Sequence, residues 1–86
     1  MYYTYVLLSG KDNKLYVGYT ENLRNRINEH DSGKVLSTGS RRPLKLIYYE
    51  ACVSELDAIS RERYFKTGFG RKFLRNRLAS FFGSQT

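Results

Sequence analysis

Residues 2 to 20, YYTYVLLSGKDNKLYVGYT, hold two runs of strand-forming residues on either side of Gly10-Lys11-Asp12-Asn13, and no other stretch restricts the fold as much. Tyr2 to Leu8 is rich in aromatic and β-branched side chains, which suit a pleated surface. The four residues Gly10 to Asn13 are turn formers, and Leu15 to Tyr19 resumes the strand pattern. The segment predicts a β-hairpin. Such a hairpin must bury a face, and a chain of 86 residues has room for one core, so a single domain over residues 1–86 is expected.

The rest of the chain supplies the cover for that face. Thr20 is placed to cap a helix with Glu21 in its first turn. Leu23, Ile27 and His30 then recur at i, i+4 and i+7, and Asp31-Ser32-Gly33 ends the pattern, so a first helix is expected at about residues 22–30. Ser32 to Pro43 is rich in Gly and Ser and closes on Arg41-Arg42, the composition of a mobile basic loop able to fold over a ligand. Leu44 to Ala51 reads as a third strand. Ser54 and Asp57 make a capping-box-like start for a second helix reaching about Thr67, which Gly68 and Gly70 break. Arg71 to Phe82 gives a third helix with Phe73, Leu74, Leu78, Phe81 and Phe82 on its apolar face. The order β-β-α-β-α-α predicts an α/β chain of the α+β kind, a small three-stranded sheet flanked by helices.

One cysteine, Cys52, cannot form an internal disulfide, and one Cys with one His cannot build a zinc cluster. The start, MYYTYVLLSG, has neither a basic leader nor a long apolar run, and no stretch of about 18 apolar residues follows. A soluble, cytoplasmic protein without a membrane partner is expected. Fifteen Lys and Arg against eight Asp and Glu give a net charge of +7. The excess is concentrated: Arg61, Arg63, Lys66, Arg71, Lys72, Arg75 and Arg77 face a single acid, Glu62, within that segment. A dense basic patch on a small protein marks a polyanion partner, most often nucleic acid; a merely solubilising surface is the alternative. Lys34, Arg41 and Arg42 of the basic loop join the expected nucleic-acid contacts.

Some residues are misplaced for packing alone. On the second helix Ala58, Ile59, Phe65 and Phe69 cluster on one side with Glu62 in their midst. A carboxylate there needs a cation, a hydrogen-bond donor or a metal ion; a buried ion pair with an arginine and a ligand role are both open. Arg26 and His30 lie one turn apart and border the Leu23 and Ile27 stripe, away from the solvent face of Arg24, Asn25 and Asn28. Strand alternation puts Tyr5 and Tyr16 where they can stand side by side, and Gly18, on the face of Tyr16, leaves room for a backbone or a ligand.

These residues resemble the GIY-YIG nuclease superfamily, in particular its small single-domain members. The first motif triplet is Tyr3-Thr4-Tyr5, which departs from the usual form at two positions, and the second is Tyr16-Val17-Gly18. Arg26, His30 and Glu62 follow in order, and GSRRPLKLIYYEA resembles the third-strand region of the small members. The resemblance implies a three-stranded antiparallel sheet and a metal-dependent endonuclease that hydrolyses phosphodiester bonds, in DNA more than RNA, in a setting of repair or recombination. It makes Glu62 the ligand of one divalent ion, Mg²⁺ or Mn²⁺, and Arg26 the cation that stabilises the phosphate. Tyr5 and Tyr16 become the phenols beside the nucleophile, and His30 a proton-handling or positioning partner. Some members place an Asn after the Glu, for which Asn76 is the downstream candidate; Tyr19 stands where certain repair relatives have a Lys. At this size, specificity would come from a protein partner or a homodimer.

Overall fold

In chain order the elements are β1 (Tyr2–Ser9), β2 (Leu15–Thr20), α1 (Leu23–Asp31), α2 (Leu36–Gly39), β3 (Leu44–Cys52), α3 (Glu55–Phe65), α4 (Gly68–Arg77) and α5 (Ala79–Gly83). The computed structural model describes residues 1–83; residues 84–86, the end of the expected domain, lie outside the described residues. β1 pairs antiparallel with β2 on one side and β3 on the other, so the sheet order is β2-β1-β3. Thr4 to Ser9 are all buried, because the central strand is covered on both faces. Its two polar members are therefore hydrogen-bonded. The Thr4 hydroxyl donates to the Ala58 carbonyl at 2.9 Å, and the Ser9 hydroxyl donates to the Arg41 carbonyl at 2.6 Å. The hairpin turn closes with Asn13 at φ 60°, a left-handed position that Asn tolerates better than most residues.

The pleat divides the sheet. Thr4, Val6 and Leu8 of β1 face α3 and α4, where Val6, Val17, Phe65 and Leu74 form the core and Leu15, Ile47, Tyr48 and Phe73 pack against it. Burying each large member contributes roughly 1.5–3 kcal/mol. A register shift between Val6 and Leu7 opposes Tyr48 to Val6 and Leu46 to Leu7, so both Ile47 and Tyr48 reach that core. Tyr5 and Gly18, directly opposed in register, point to the other face, toward α1.

The antiparallel sheet and the order of its larger elements agree with the sequence reading; several local expectations do not. Asn22, not Thr20, caps α1, accepting from the Asn25 N–H, while Thr20 holds the bend before it through the Asn22 N–H. Gly68 and Gly70 do not end a helix but begin one, capped by Thr67. The last helix changes direction at Leu78 (φ −109°, ψ 31°), which brings Phe82 beside Arg75 and Phe81 beside Lys45. Phe69, expected in the core, is 80% exposed. The segment expected to be a loose basic loop has anchors instead: it folds α2 and buries Thr38, and its arginines bond back to the hairpin and to α1. Among the described residues no helix is long and apolar enough to cross a membrane.

Candidate active site

Helical spacing places Arg26 and His30 one turn apart on α1, and that turn lies over Tyr5. The His30 Nε2 is 2.9 Å from the Tyr5 hydroxyl, the His30 Nδ1 is 2.7 Å from the Thr38 hydroxyl, and the Arg26 Nε is 3.4 Å from the Tyr5 oxygen. Burial pushes the Tyr5 phenol up to about 12, against the opposing pull of Arg26; the charges of Tyr16 and Glu62 add to the rise. Burial, followed by the positive charge of Arg26, holds His30 below its usual value. Both groups are therefore neutral near pH 7, and the proton positions follow. A guanidinium only donates, so the Tyr5 oxygen accepts from Arg26 and its O–H donates to Nε2. His30 then carries its proton on Nδ1 and donates it to Thr38.

Tyr16 closes the cluster from β2. Its ring lies 5.1 Å from that of His30 and 6.4 Å from that of Tyr5, centroid to centroid. Its hydroxyl takes no hydrogen bond among the described residues, and its side chain is half-buried, in contrast to Tyr5 at 1% exposure. Tyr5 is thus the inner phenol and Tyr16 the outer one. Gly18 does not leave space for a ligand, as its position in the strand suggested: a Cβ there would fall on the Tyr5 hydroxyl and 2.6 Å from its Cζ. The glycine makes room for Tyr5 itself.

Glu62 lies on α3 between the buried Ala58 and Phe65 turns. The expected ion pair with an arginine is not the one formed. Its side chain is 20% exposed and pairs with Lys66 Nζ at 3.5 Å, so it is not paired with an arginine. No cluster of three His, Cys, Asp or Glu suited to a metal exists among the described residues. A single carboxylate nonetheless fits Mg²⁺ or Mn²⁺, hard ions that keep several waters and take phosphate oxygens as further ligands. Asn76 lies exposed on α4, and no hydrogen bond joins it to this cluster.

The expected nucleic-acid contacts divide in two. Arg61 forks onto both Glu50 oxygens at 2.8 and 3.0 Å, and its guanidinium lies 4.6 Å from the ring centres of both Phe65 and Phe73. Arg41 donates to Asp12 and to the Lys14 and Leu15 carbonyls, and Arg42 to the Gly39 and Asp31 carbonyls. These three already have partners within the fold. Lys34, Arg63, Lys66 and Lys72 are exposed, while Arg71 and Arg75 line a cleft beside the hairpin turn. Thr38, Asp12 and Glu50 escaped the sequence reading, since a Thr in a Ser- and Gly-rich run and acids on a turn or strand edge have no periodic pattern to mark them.

The triplets lie on the hairpin, the Arg26 and His30 pair on α1 and the glutamate on α3, and a family model described as "GIY-YIG catalytic domain" matches residues 1–78. The chain belongs to the GIY-YIG family, a family of nucleases. Within it, the chain is similar to small proteins named UPF0213. It is 44% identical over 68 residues to one from Pediococcus acidilactici, covering 76% of this chain and 68% of that one. A relative from Bacillus pumilus is 40% identical over 72 residues, 83% of this chain and 72% of the relative. The solution NMR structure of a UPF0213 protein from Bacillus halodurans superposes with a TM-score of 0.56 at 32% identity, covering 88% of this chain and 84% of that one.

Proposed function

We propose that the protein is a divalent-metal-dependent endonuclease acting on nucleic acid, DNA in preference to RNA, in the cytoplasm and in the service of repair or recombination. The observation that carries this reading is the convergence of Arg26, His30 and Tyr16 around Tyr5. In this reading residues 1–86 act as one domain.

Each residue receives a task that its surroundings allow. Glu62 is the residue that would hold Mg²⁺ or Mn²⁺; when bound, the ion lowers the pKa of coordinated water and offsets charge on the phosphate oxygens. Arg26, tethered through Nε to Tyr5 and through Nη1 to Glu29, presents its remaining Nη2 edge to a phosphate oxygen. Tyr5, its proton held to about 12, is a positioning residue that fixes Arg26 and His30. Tyr16 is the phenol that faces the substrate and orients the attacking water. His30 sets the proton order of the network and stays neutral.

The purified protein, incubated with supercoiled, linear, single-stranded and branched DNA and with RNA, tests this reading. Cleavage is expected with Mg²⁺ or Mn²⁺, and chelator should abolish it, as should Glu62→Gln. Tyr16→Phe should lower the rate by about 10²-fold or more without loss of binding. The divergent first triplet, Tyr3-Thr4-Tyr5, favours a second reading: a nucleic-acid-binding module without turnover. Metal-independent binding with no cutting of any substrate would establish that alternative.

A further inference from the structure

The end of the hairpin carries a cleft that the cutting chemistry does not use. Its floor is Leu8 and Leu15, the last register pair of β1 and β2, and Phe82 of α5 forms one wall. Leu8 is three residues along β1 from Tyr5, about 10 Å at the usual strand rise, and its side chain points to the opposite face of the sheet. The cleft encloses about 520 Å³, within the range of small-ligand sites.

Three cations converge there. Arg71 and Arg75, one turn apart on α4, and Lys14 after the turn all line the cleft, with the Asn13 amide beside them. No carboxylate pairs with Lys14, Arg71 or Arg75 among the described residues, whereas Arg26, Arg41 and Arg61 each have one. The nearby acid, Asp12, already accepts from Arg41 and from the Lys14 backbone N–H. Arg71 is held below its usual basicity by burial first and then by the charges of Arg75 and Arg41. Arg71 is half-buried and Lys14 and Arg75 are exposed, so an anion reaching the cleft meets three like charges with no acid among them. Arg75 is also held in place, its guanidinium 5.4 Å from the Phe82 ring centre.

We propose that this cleft binds one phosphate-bearing nucleotide, the phosphate between Lys14, Arg71 and Arg75 and the nucleoside against Leu8, Leu15 and Phe82. A bare oxyanion would use the cations but leave the apolar floor uncovered; a nucleotide uses both. The phosphate has two possible sources, a nucleic-acid strand or a free mononucleotide. The inference rests on the nucleic-acid reading only for the first of these, and it does not depend on cleavage.

Amide NMR titrations of the whole protein with inorganic phosphate, thymidine monophosphate and a short single-stranded oligonucleotide test it. Saturable shifts are expected at residues 13–15 and 71–75. Shifts with both nucleotide ligands would identify a site open to free nucleotides; shifts with the oligonucleotide alone would make the strand the source. Arg71→Gln should weaken oligonucleotide binding by about tenfold, and Lys14→Gln by several-fold. Arg24→Gln, the same charge change on the solvent face of α1, should change it by less than about twofold. No shifts at these positions, inorganic phosphate as effective as the mononucleotide, or equal losses for Arg71→Gln and Arg24→Gln would overturn the assignment. A protein that never cuts but passes these tests would leave this site standing and remove only the nuclease reading.

Discussion

A side chain at position 18 would stand inside the Tyr5 ring, so the short side chain in the second triplet is explained by packing before any chemistry. Gly18→Ala is expected to destabilise the fold by about 1–3 kcal/mol, as overpacked sites do, and to displace the Tyr5 hydroxyl from Arg26 and His30. An unchanged melting temperature would show that the ring has room to move. His30 yields a pH prediction with a definite sign. Its pKa is depressed in the fold by burial first and Arg26 second, so its contribution to stability is present above the unfolded value of about 6.5 and is lost as pH falls below it. His30→Gln keeps an acceptor for Tyr5 but removes the titration; it should cost about 1–2 kcal/mol at pH 7 and flatten the acid side of the stability profile. Melts from pH 7.5 to 5 check this, and an acid slope equal to the parent's would assign the effect elsewhere. For Glu62 the pairing with an exposed Lys66 decides the expectation: Glu62→Gln should alter stability by less than about 1 kcal/mol in metal-free buffer while abolishing the gain in melting temperature on adding Mg²⁺ or Mn²⁺.

Between elements, α3 is fastened to the sheet by contacts that differ in how readable they were. The buried Ala58 and Phe65 follow from helical periodicity and were visible in the sequence, and so was the Ser54 cap. The Arg61 fork onto Glu50 was not. It joins residues eleven apart across a turn, and its arginine sits in a run that charge counting assigns wholesale to nucleic acid. The same limit applies to α2. Its four residues bury Thr38 under His30, a contact set by tertiary packing in a segment whose composition reads as loop. Gly70 was misread for a related reason. Glycine suggests a break, yet here a Cβ would collide with the Tyr64 carbonyl, and the residue serves the close approach of α4 to the end of α3. The Arg61 assignment is testable. Arg61→Met should lower stability by about 1–2 kcal/mol, because Glu50 keeps only the Tyr48 hydroxyl at a site about one third exposed. Its effect on nucleic-acid affinity should stay within about twofold. A large loss of affinity with stability intact would return Arg61 to the binding surface.

For the whole molecule, the net charge of +7 favours a polyanion partner, but the fold decides which cations reach it. Arg41 ties the segment before β3 to the hairpin turn through Asp12 and two carbonyls, and Arg42 braces α2 and the end of α1. Replacing both with Gln should therefore act on the fold: a lower melting temperature and faster amide exchange around Thr38, with the His30 network loosened. The cations left for phosphates are Arg63, Lys66 and Lys72 on the helices, Lys34 after α1, and the Lys14, Arg71 and Arg75 cluster. Each phosphate they neutralise releases counterions, so log affinity should fall linearly with log salt, and affinity should drop by more than about tenfold between 50 and 200 mM. The slope separates the two groups of arginines. Lys72→Gln or Arg75→Gln should reduce it by about 1 per lost contact, whereas Arg41→Gln and Arg42→Gln, measured at a temperature where the variant is folded, should leave it unchanged. A double variant that melts like the parent and binds with a shallower slope would restore the basic clamp over the substrate and refute the bracing role that the hydrogen bonds of both arginines assign them.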